Sequence, residues 1–210
     1  ITGVDLVEWQ LRVAAGEPLP LRQDQLAING HAFEARLYAE DPVSGFLPSI
    51  GLLEHFEPSG ARIETGVEQG DEISPHYDPM IAKLIAHGET RQEALGDLAS
   101  FCRTTDVWPV KTNAGFLARL LESAEFAAGT VDTNFIAANL AQLTTKPPLS
   151  ADAIDAAAHL LVAAPACDAA QLARSGFRLN AEPQTTMLML VDGENAAAEL
   201  PTAHHPSANY

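Results

Sequence analysis

The residues best suited to chemistry stand on one predicted strand. Glu34, Arg36 and Tyr38 alternate with apolar residues within the segment 31–42. This period of two is typical of a strand that packs one face and leaves the other polar. An arginine that is held on a rigid strand, and oriented by an acid two residues away, presents a planar fork of N–H donors. Such a fork binds a carbonyl oxygen or an oxyanion.

A surface ion pair is the competing interpretation of Glu34 and Arg36. Charged pairs on the solvated face of a strand are common, and an exposed pair contributes little to stability. The strand alone favours this simpler interpretation. The choice between a binding site and a surface pair therefore depends on the motifs that surround the strand.

The elements around this strand predict an α+β domain over residues 1–143, in which helices pack on one side of an antiparallel sheet. Residues 51–75 are divided by Gly and Pro turns into short segments, which predicts short antiparallel strands. Residues 80–87 form an apolar run that pattern alone does not assign to helix or strand. The pattern does not determine where this run lies relative to Arg36.

Helical spacing of apolar residues predicts the helical side of the domain. Trp9 lies in the first such segment, and we expect it to pack in the core. Thr90 is expected to cap a second helix, and either Thr112 or Asn113 a third.

The composition changes after residue 143, and we expect a second domain over residues 144–210. A Thr-Thr-Lys-Pro-Pro run predicts a linker. Beyond it, the sequence predicts an alanine-rich helix and then strands, two of which are joined by a hairpin. The predicted segments are a helix from Ser150 to about Ala164, a turn of helix over Asp168–Arg174, strands Gly176–Asn180 and Thr185–Val191, the hairpin residues Asp192–Gly193, and a strand from Asn195.

Charge and cysteine content exclude several classes of function. The net charge of −16 argues against binding to nucleic acid or to an anionic membrane surface. Cys102 and Cys167 are far apart, which argues against a disulfide framework and predicts a reducing, cytoplasmic location. No signal peptide or membrane-spanning run is predicted. Because the sequence begins at Ile1 and not at methionine, we expect a fragment of a longer protein.

Four motifs occur in an order that resembles the C-terminal region of biotin carboxylase. More narrowly, the order is similar to the biotin-carrying α subunits of acyl-CoA carboxylases of the methylcrotonyl-CoA and propionyl-CoA type. The resemblance covers about residues 1–143. The motifs are Gly30–Arg36, Tyr38–Pro42, Gly45–Ser49 and Tyr77–Ile85.

The resemblance implies a role for Arg36. In that family, the arginine of this strand binds the ureido oxygen of biotin and stabilises the negative charge that forms there. Glu34 would then orient Arg36, and residues 80–87 would return as a strand beside it. Asp78 would face the biotin site and position Arg36, although an aspartate before proline is equally typical of an ordinary turn.

The resemblance also implies what the complete enzyme needs. The family uses biotin, ATP and magnesium, and keeps its ATP-grasp module upstream of the region matched here. The implied partners are that module, the biotin carrier domain of the same chain and the carboxyltransferase β subunit. The helix and strands after residue 144 resemble the start of the linking domain that joins biotin carboxylase to the biotin carrier, and in that family this domain contacts the β subunit. The chain has no glycine-rich phosphate loop, so we expect it to be inactive alone.

The histidines do not predict a metal site. His204 and His205 are adjacent, so a single metal ion rarely takes both, and the remaining histidines lack ligand spacing.

Two other classes of function remain open. One alternative is a noncatalytic interaction module. The other is the C-terminal domain of an ATP-grasp ligase that does not use biotin.

Overall fold

The computed structural model describes residues 1–163, 186–191 and 194–199. The chain divides into two compact units, residues 1–146 and residues 147–210. Within the described residues, no helix has both the length and the apolar character needed to cross a bilayer.

The first unit consists of short and long strands followed by helices. Its strands are β1 (His31–Tyr38), β2 (Glu40–Asp41), β3 (Leu47–Pro48), β4 (Gly51–Leu52), β5 (His55–Glu57), β6 (Arg62–Thr65), β7 (Glu72–Ile73), β8 (Met80–Gly88) and β9 (Asp106–Trp108). Its helices are α1 (Leu6–Ala14), α2 (Arg91–Thr104), α3 (Ala114–Glu122), α4 (Ala124–Ala128), α5 (Phe135–Ala138) and α6 (Leu140–Thr144).

The main sheet is antiparallel, with the order β1-β8-β6. The remaining short strands pair as β2 with β3, β4 with β7, and β5 with β9, all antiparallel. The predicted α+β class and the predicted short strands are confirmed. The ambiguous run of residues 80–87 is the central strand β8.

Two helices cover one face of the main sheet. Helix α2 begins at Thr90, whose hydroxyl accepts a hydrogen bond from the Glu93 backbone N–H at 3.2 Å, so the predicted cap is confirmed. Helix α2 packs on β8 and α3, and this core contains Leu84 and Leu98, which have no exposed surface. Burial of a leucine side chain contributes roughly 2 kcal/mol, so this layer holds the strands in place.

Helix α1 does not join that core. The carboxylate of Asp5 accepts hydrogen bonds from the backbone N–H groups of Val7 and Glu8, which defines the helix start. The helix contains no buried residue, and Trp9 is only half-buried. The prediction that Trp9 packs in the core was therefore wrong for this structure, because α1 has no covering element among the described residues.

The second unit contains one helix and a strand pair. Helix α7 (Ala151–Ala163) begins after Ser150, whose hydroxyl accepts a hydrogen bond from Ala153 N at 3.1 Å. Strands β10 (Thr186–Val191) and β11 (Glu194–Glu199) pair antiparallel, and β11 packs against α7. The predicted segments 168–174 and 176–180, the hairpin residues Asp192–Gly193, and Cys167, His204 and His205 lie outside the described residues.

Candidate functional site

Arg36 lies on the open face of the main sheet. On β1 the odd-numbered residues from 33 to 37 face the core, whereas Glu34 and Arg36 are exposed. Arg36 is opposite Lys83 of β8, and Lys83 is opposite Glu64 of β6. The predicted return strand beside Arg36 is thus confirmed, and the arginine is held by a strand that is paired and packed along its length.

The contact between Arg36 and Glu34 is loose. Arg36 Nε lies 3.6 Å from Glu34 Oε1, and the two side chains are 60% and 43% exposed. Among the described residues, the two terminal nitrogens of Arg36 have no protein acceptor. The donor fork is therefore accessible, and it fits a ligand that carries a carbonyl oxygen or an anion.

Asp78 is exposed at the entrance to β8. Its carboxylate accepts a hydrogen bond from Met80 N at 2.9 Å, as a turn aspartate does. Burial, and to a lesser extent the nearby Asp78 charge, raise the pKa of Glu40 above its usual value. Within the described residues Asp78 forms no ion pair with Arg36, so its positioning role stays a prediction.

Asn113 binds the backbone of the strand that carries Arg36, and the sequence did not indicate this contact. Its side chain is one of two buried polar side chains among the described residues, with 6% of the residue exposed. The amide Oδ1 accepts a hydrogen bond from Tyr38 N at 2.9 Å, and Nδ2 donates to Arg36 O at 3.2 Å. Asn113 N also donates to Tyr38 O at 3.1 Å. In the sequence, Asn113 stands before a predicted helix, and this position indicates a helix cap. In the structure, its side chain makes no cap hydrogen bond.

An ion pair between buried Asp41 and exposed Lys111 fixes the loop that follows β1. Asp41 Oδ2 accepts hydrogen bonds from Lys111 Nζ at 2.6 Å and from Ser44 Oγ at 2.9 Å. The Lys111 ammonium, followed by these other donors, lowers the pKa of Asp41 to about 2 against the opposing effect of burial. Lys111 N also donates to Ser49 Oγ at 2.9 Å. Residues 111–113 therefore hold both this loop and the strand that carries Arg36.

The site is an open wall and not a closed pocket. A cavity of about 250 Å³ lies elsewhere, between α3 and the helices that follow it, and its lining includes Arg119, Phe135 and Asn139 but not Arg36. In the part of the chain that the structure describes, no group of three or more His, Cys, Asp or Glu side chains is arranged to hold a metal ion. Cys102 is buried and free, and burial raises its pKa to about 11.

The antiparallel sheet with its covering helices is the fold of a domain found in biotin-dependent carboxylases. The profile of the biotin carboxylase C-terminal domain family matches residues 34–138, half of the chain, and the chain belongs to that family. This confirms the resemblance carried by the motifs, and it favours biotin carboxylase over a ligase that does not use biotin.

Two relatives show which biotin-dependent carboxylases the chain is similar to. Methylcrotonoyl-CoA carboxylase subunit alpha, mitochondrial, of Arabidopsis thaliana is 54% identical over 140 residues, which are 65% of this chain and 19% of that protein. The biotin carboxylase of Halalkalibacterium halodurans is 42% identical over 151 residues, which are 70% of this chain and 33% of that protein.

A solved structure matches in fold as well. It is the biotin carboxylase domain dimer of Hydrogenobacter thermophilus 2-oxoglutarate carboxylase, in complex with MgADP, ADP and bicarbonate. The TM-score is 0.66 at 36% identity, over 70% of this chain and 33% of that one. The chain therefore spans between about a fifth and a third of the length of these relatives.

Proposed function

We propose that this chain is the C-terminal part of the biotin carboxylase component of an acyl-CoA carboxylase α subunit. In the complete enzyme, its open sheet face forms the biotin-binding wall of the site for ATP- and bicarbonate-dependent carboxylation of biotin. One observation carries this proposal: Arg36 extends its donor fork from a rigid strand, and the terminal nitrogens lack an acceptor within the described residues.

Arg36 binds the ureido oxygen of biotin in this proposal. Biotin supplies the ureido nitrogen that takes up the carboxyl group. The strand fixes the Arg36 backbone before the reaction, and the guanidinium fork stabilises negative charge on that oxygen. A preorganised donor of this kind lowers the activation barrier by about 3–4 kcal/mol. Glu34 limits the rotation of the guanidinium but leaves its terminal nitrogens accessible.

The other functions of the complete enzyme belong to other segments. ATP and magnesium bind to the ATP-grasp module, which pairs with this domain across the active site. The biotin carrier domain of the same chain delivers biotin to Arg36, and the carboxyltransferase β subunit receives the carboxyl group. The names of the relatives and the MgADP and bicarbonate in the Hydrogenobacter structure support this division.

The substrate class and the compartment are also parts of the proposal. Identity of 54% to a methylcrotonoyl-CoA carboxylase subunit supports an acyl-CoA carboxylase of that type. We predicted a cytoplasmic location from cysteine usage, and the Arabidopsis relative is named as mitochondrial. Both compartments are reducing enough to keep a buried thiol such as Cys102 free.

A lysine substitution at the arginine tests the proposal. Arg36→Lys keeps the positive charge but removes the planar fork, so carboxylation of free biotin by the complete subunit should fall at least tenfold. Incorporation of labelled bicarbonate into biotin is the measurement, with subunit concentration matched by absorbance. Carboxylation within twofold of the wild type would mean that Arg36 acts only as a surface charge.

A further inference from the structure

The edge of β1 next to Arg36 is closed by one side chain. In the order β1-β8-β6, strand β1 pairs on one side only, so the backbone groups on its other side need different partners. Asn113 provides partners for three of these groups, at Arg36 and Tyr38. It donates from Nδ2 to Arg36 O, accepts at Oδ1 from Tyr38 N, and donates from its backbone N–H to Tyr38 O.

These hydrogen bonds lie on both sides of an irregularity in the strand. The register of β1 against β8 shifts between Leu37 and Tyr38. An irregularity of this kind bends and twists a strand, and it redirects the side chains beside it. Asn113 binds one residue on each side of the shift, Arg36 and Tyr38, so its contacts span the place where the strand bends.

The chemistry of the amide suits this task. An asparagine side chain carries both an acceptor and donors, and the two contacts made here use one of each. An aspartate keeps the acceptor and lacks the donor, and it faces the Arg36 carbonyl with a second oxygen. The ordinary reason for an asparagine before a helix is absent, because its side chain makes no hydrogen bond to the first turn of α3.

We propose that Asn113 is a positioning residue for Arg36 in biotin carboxylation. Asn113 does not touch biotin. It sets the backbone from which Arg36 reaches the ureido oxygen. This inference rests on the proposed function of Arg36, and the experiment below separates failure of the one from failure of the other.

The test uses the complete carboxylase subunit and two variants of the asparagine. Asn113→Asp keeps the acceptor for Tyr38 N and replaces the donor to Arg36 O with a carboxylate oxygen, and Asn113→Ala removes both side-chain contacts. Both should lower the ratio of biotin carboxylation to bicarbonate-dependent ATP cleavage about tenfold, since small displacements of a binding group cost large factors in rate. Asn139→Ala is the matched control, because Asn139 donates to Phe135 O within its own helical segment, and that ratio should stay unchanged.

The same substitutions in an Arg36→Ala background show whether Asn113 acts through the arginine. We expect Asn113→Asp to lower the ratio by less than twofold there, because the group that it positions is gone. A full tenfold loss in that background would overturn the inference, as would an unchanged ratio for Asn113→Asp beside an impaired Arg36→Ala. An Arg36→Ala subunit with wild-type carboxylation would instead overturn the proposed function, and this inference with it.

A local measurement distinguishes positioning from loss of folding. Amide hydrogen exchange at Tyr38 should become faster in Asn113→Ala, which lacks the acceptor, and should stay slow in Asn113→Asp, which keeps it. Exchange in α2 should remain slow in both variants. Equally fast exchange throughout the domain would show general unfolding and would contradict a positioning role.

Discussion

At the scale of single residues, two arginines on the same sheet face make similar ion pairs, but they differ in what holds their backbone. Arg36 pairs with Glu34, and Arg62 of β6 pairs with Glu64, each two residues along its own strand. Both pairs are largely exposed, and exposed pairs contribute roughly 0.2–1 kcal/mol. Ion pairing therefore does not distinguish Arg36. Its distinguishing feature is the buried side chain that fixes its backbone.

Removal of the acid beside Arg36 should have a mild effect. Glu34→Gln keeps the size of the side chain and removes the charge that restrains the guanidinium at 3.6 Å. A contribution of at most about 1 kcal/mol limits the loss of carboxylation to roughly fivefold. Initial rates of biotin carboxylation at saturating ATP measure it. A loss as large as that of Arg36→Ala would show that Glu34 itself takes part in the reaction.

The ion pair between buried Asp41 and exposed Lys111 should make stability depend on pH. The pKa of Asp41 is lowered from 3.8 to about 2 in the fold, so its contribution is complete above pH 4 and is lost as the pH falls towards 2. Because Lys111 is 61% exposed, we expect a contribution of about 1–2 kcal/mol. Asp41→Asn should lower the free energy of unfolding by that amount between pH 7 and 5, and by about half of it near pH 3.

Denaturant unfolding of the wild type and the variant at each pH measures this difference. Asp24→Asn is the matched control, since it removes one carboxylate charge from the exposed Arg22–Asp24 pair and should change stability less. A difference that stays constant from pH 7 to pH 3 would show that Asp41 contributes through packing and not through its charge.

The sequence indicated Arg36 as a candidate and its position on a strand, but not the residue that binds its backbone. Alternation and the order of motifs were sufficient to predict the strand, because both are local in the sequence. Asn113 lies 77 positions from Arg36, and only the fold brings its amide to the strand. Its role could not be predicted, because an asparagine before a helix normally indicates a cap.

At the scale of elements, the start of β1 is set by a close backbone contact. Gly30 has a φ of +68°, and a Cβ there would lie 2.4 Å from Gly88 O at the end of β8. Glycine is needed both for the left-handed conformation and for this approach. The glycine that opens the Gly30–Arg36 motif thus permits the pairing that continues to Arg36.

A pair of alanine substitutions separates these two requirements. Gly45 has a similar φ of +75° but nothing within 4 Å of a Cβ. Gly45→Ala should cost about 1–2 kcal/mol for the left-handed backbone, whereas Gly30→Ala should cost at least 1 kcal/mol more, because the backbones must separate. Thermal unfolding of both variants measures the difference. Equal costs would mean that β1 and β8 tolerate a wider separation at this end.

The elements differ in how well the sequence predicted them. Helix α2 was predicted from its cap and its spacing, both of which are local. Strand β8 was ambiguous because it is the central strand, and a central strand does not show the clean alternation of a half-exposed one. Helix α1 has apolar residues at helical spacing, yet Leu6 and Leu11 are 66% and 68% exposed, so spacing alone did not predict burial.

At the scale of the whole molecule, the described residues include an open sheet face that carries Arg36. In the proposed function this face is one wall of a larger site, and the chain covers only about a fifth of the Arabidopsis subunit. The order of motifs predicted the family, and the family profile over residues 34–138 confirms that prediction. The positions of walls that other segments contribute could not be predicted, because they are not encoded in these residues.

The chain alone is therefore predicted to be inactive. Residues 1–210 should show no biotin-dependent release of phosphate from ATP, whereas the complete subunit should, because the sequence contains no glycine-rich phosphate loop. Phosphate release with and without biotin is the measurement, with circular dichroism as the check on folding. Biotin-dependent phosphate release by residues 1–210 alone, if it is lost in Arg36→Ala, would contradict the proposal that ATP binds to another segment of the enzyme.

The most direct test of the central claim compares Arg36→Ala with Arg62→Ala in the complete subunit. Bicarbonate-dependent ATP cleavage and carboxylation of free biotin are measured side by side. We predict that Arg36→Ala lowers carboxylation about 100-fold or more and ATP cleavage far less, and that Arg62→Ala, which breaks the similar pair on β6, changes neither by more than about twofold. Equal and small effects of the two substitutions would show that Arg36 is an ordinary surface residue and that biotin binds elsewhere.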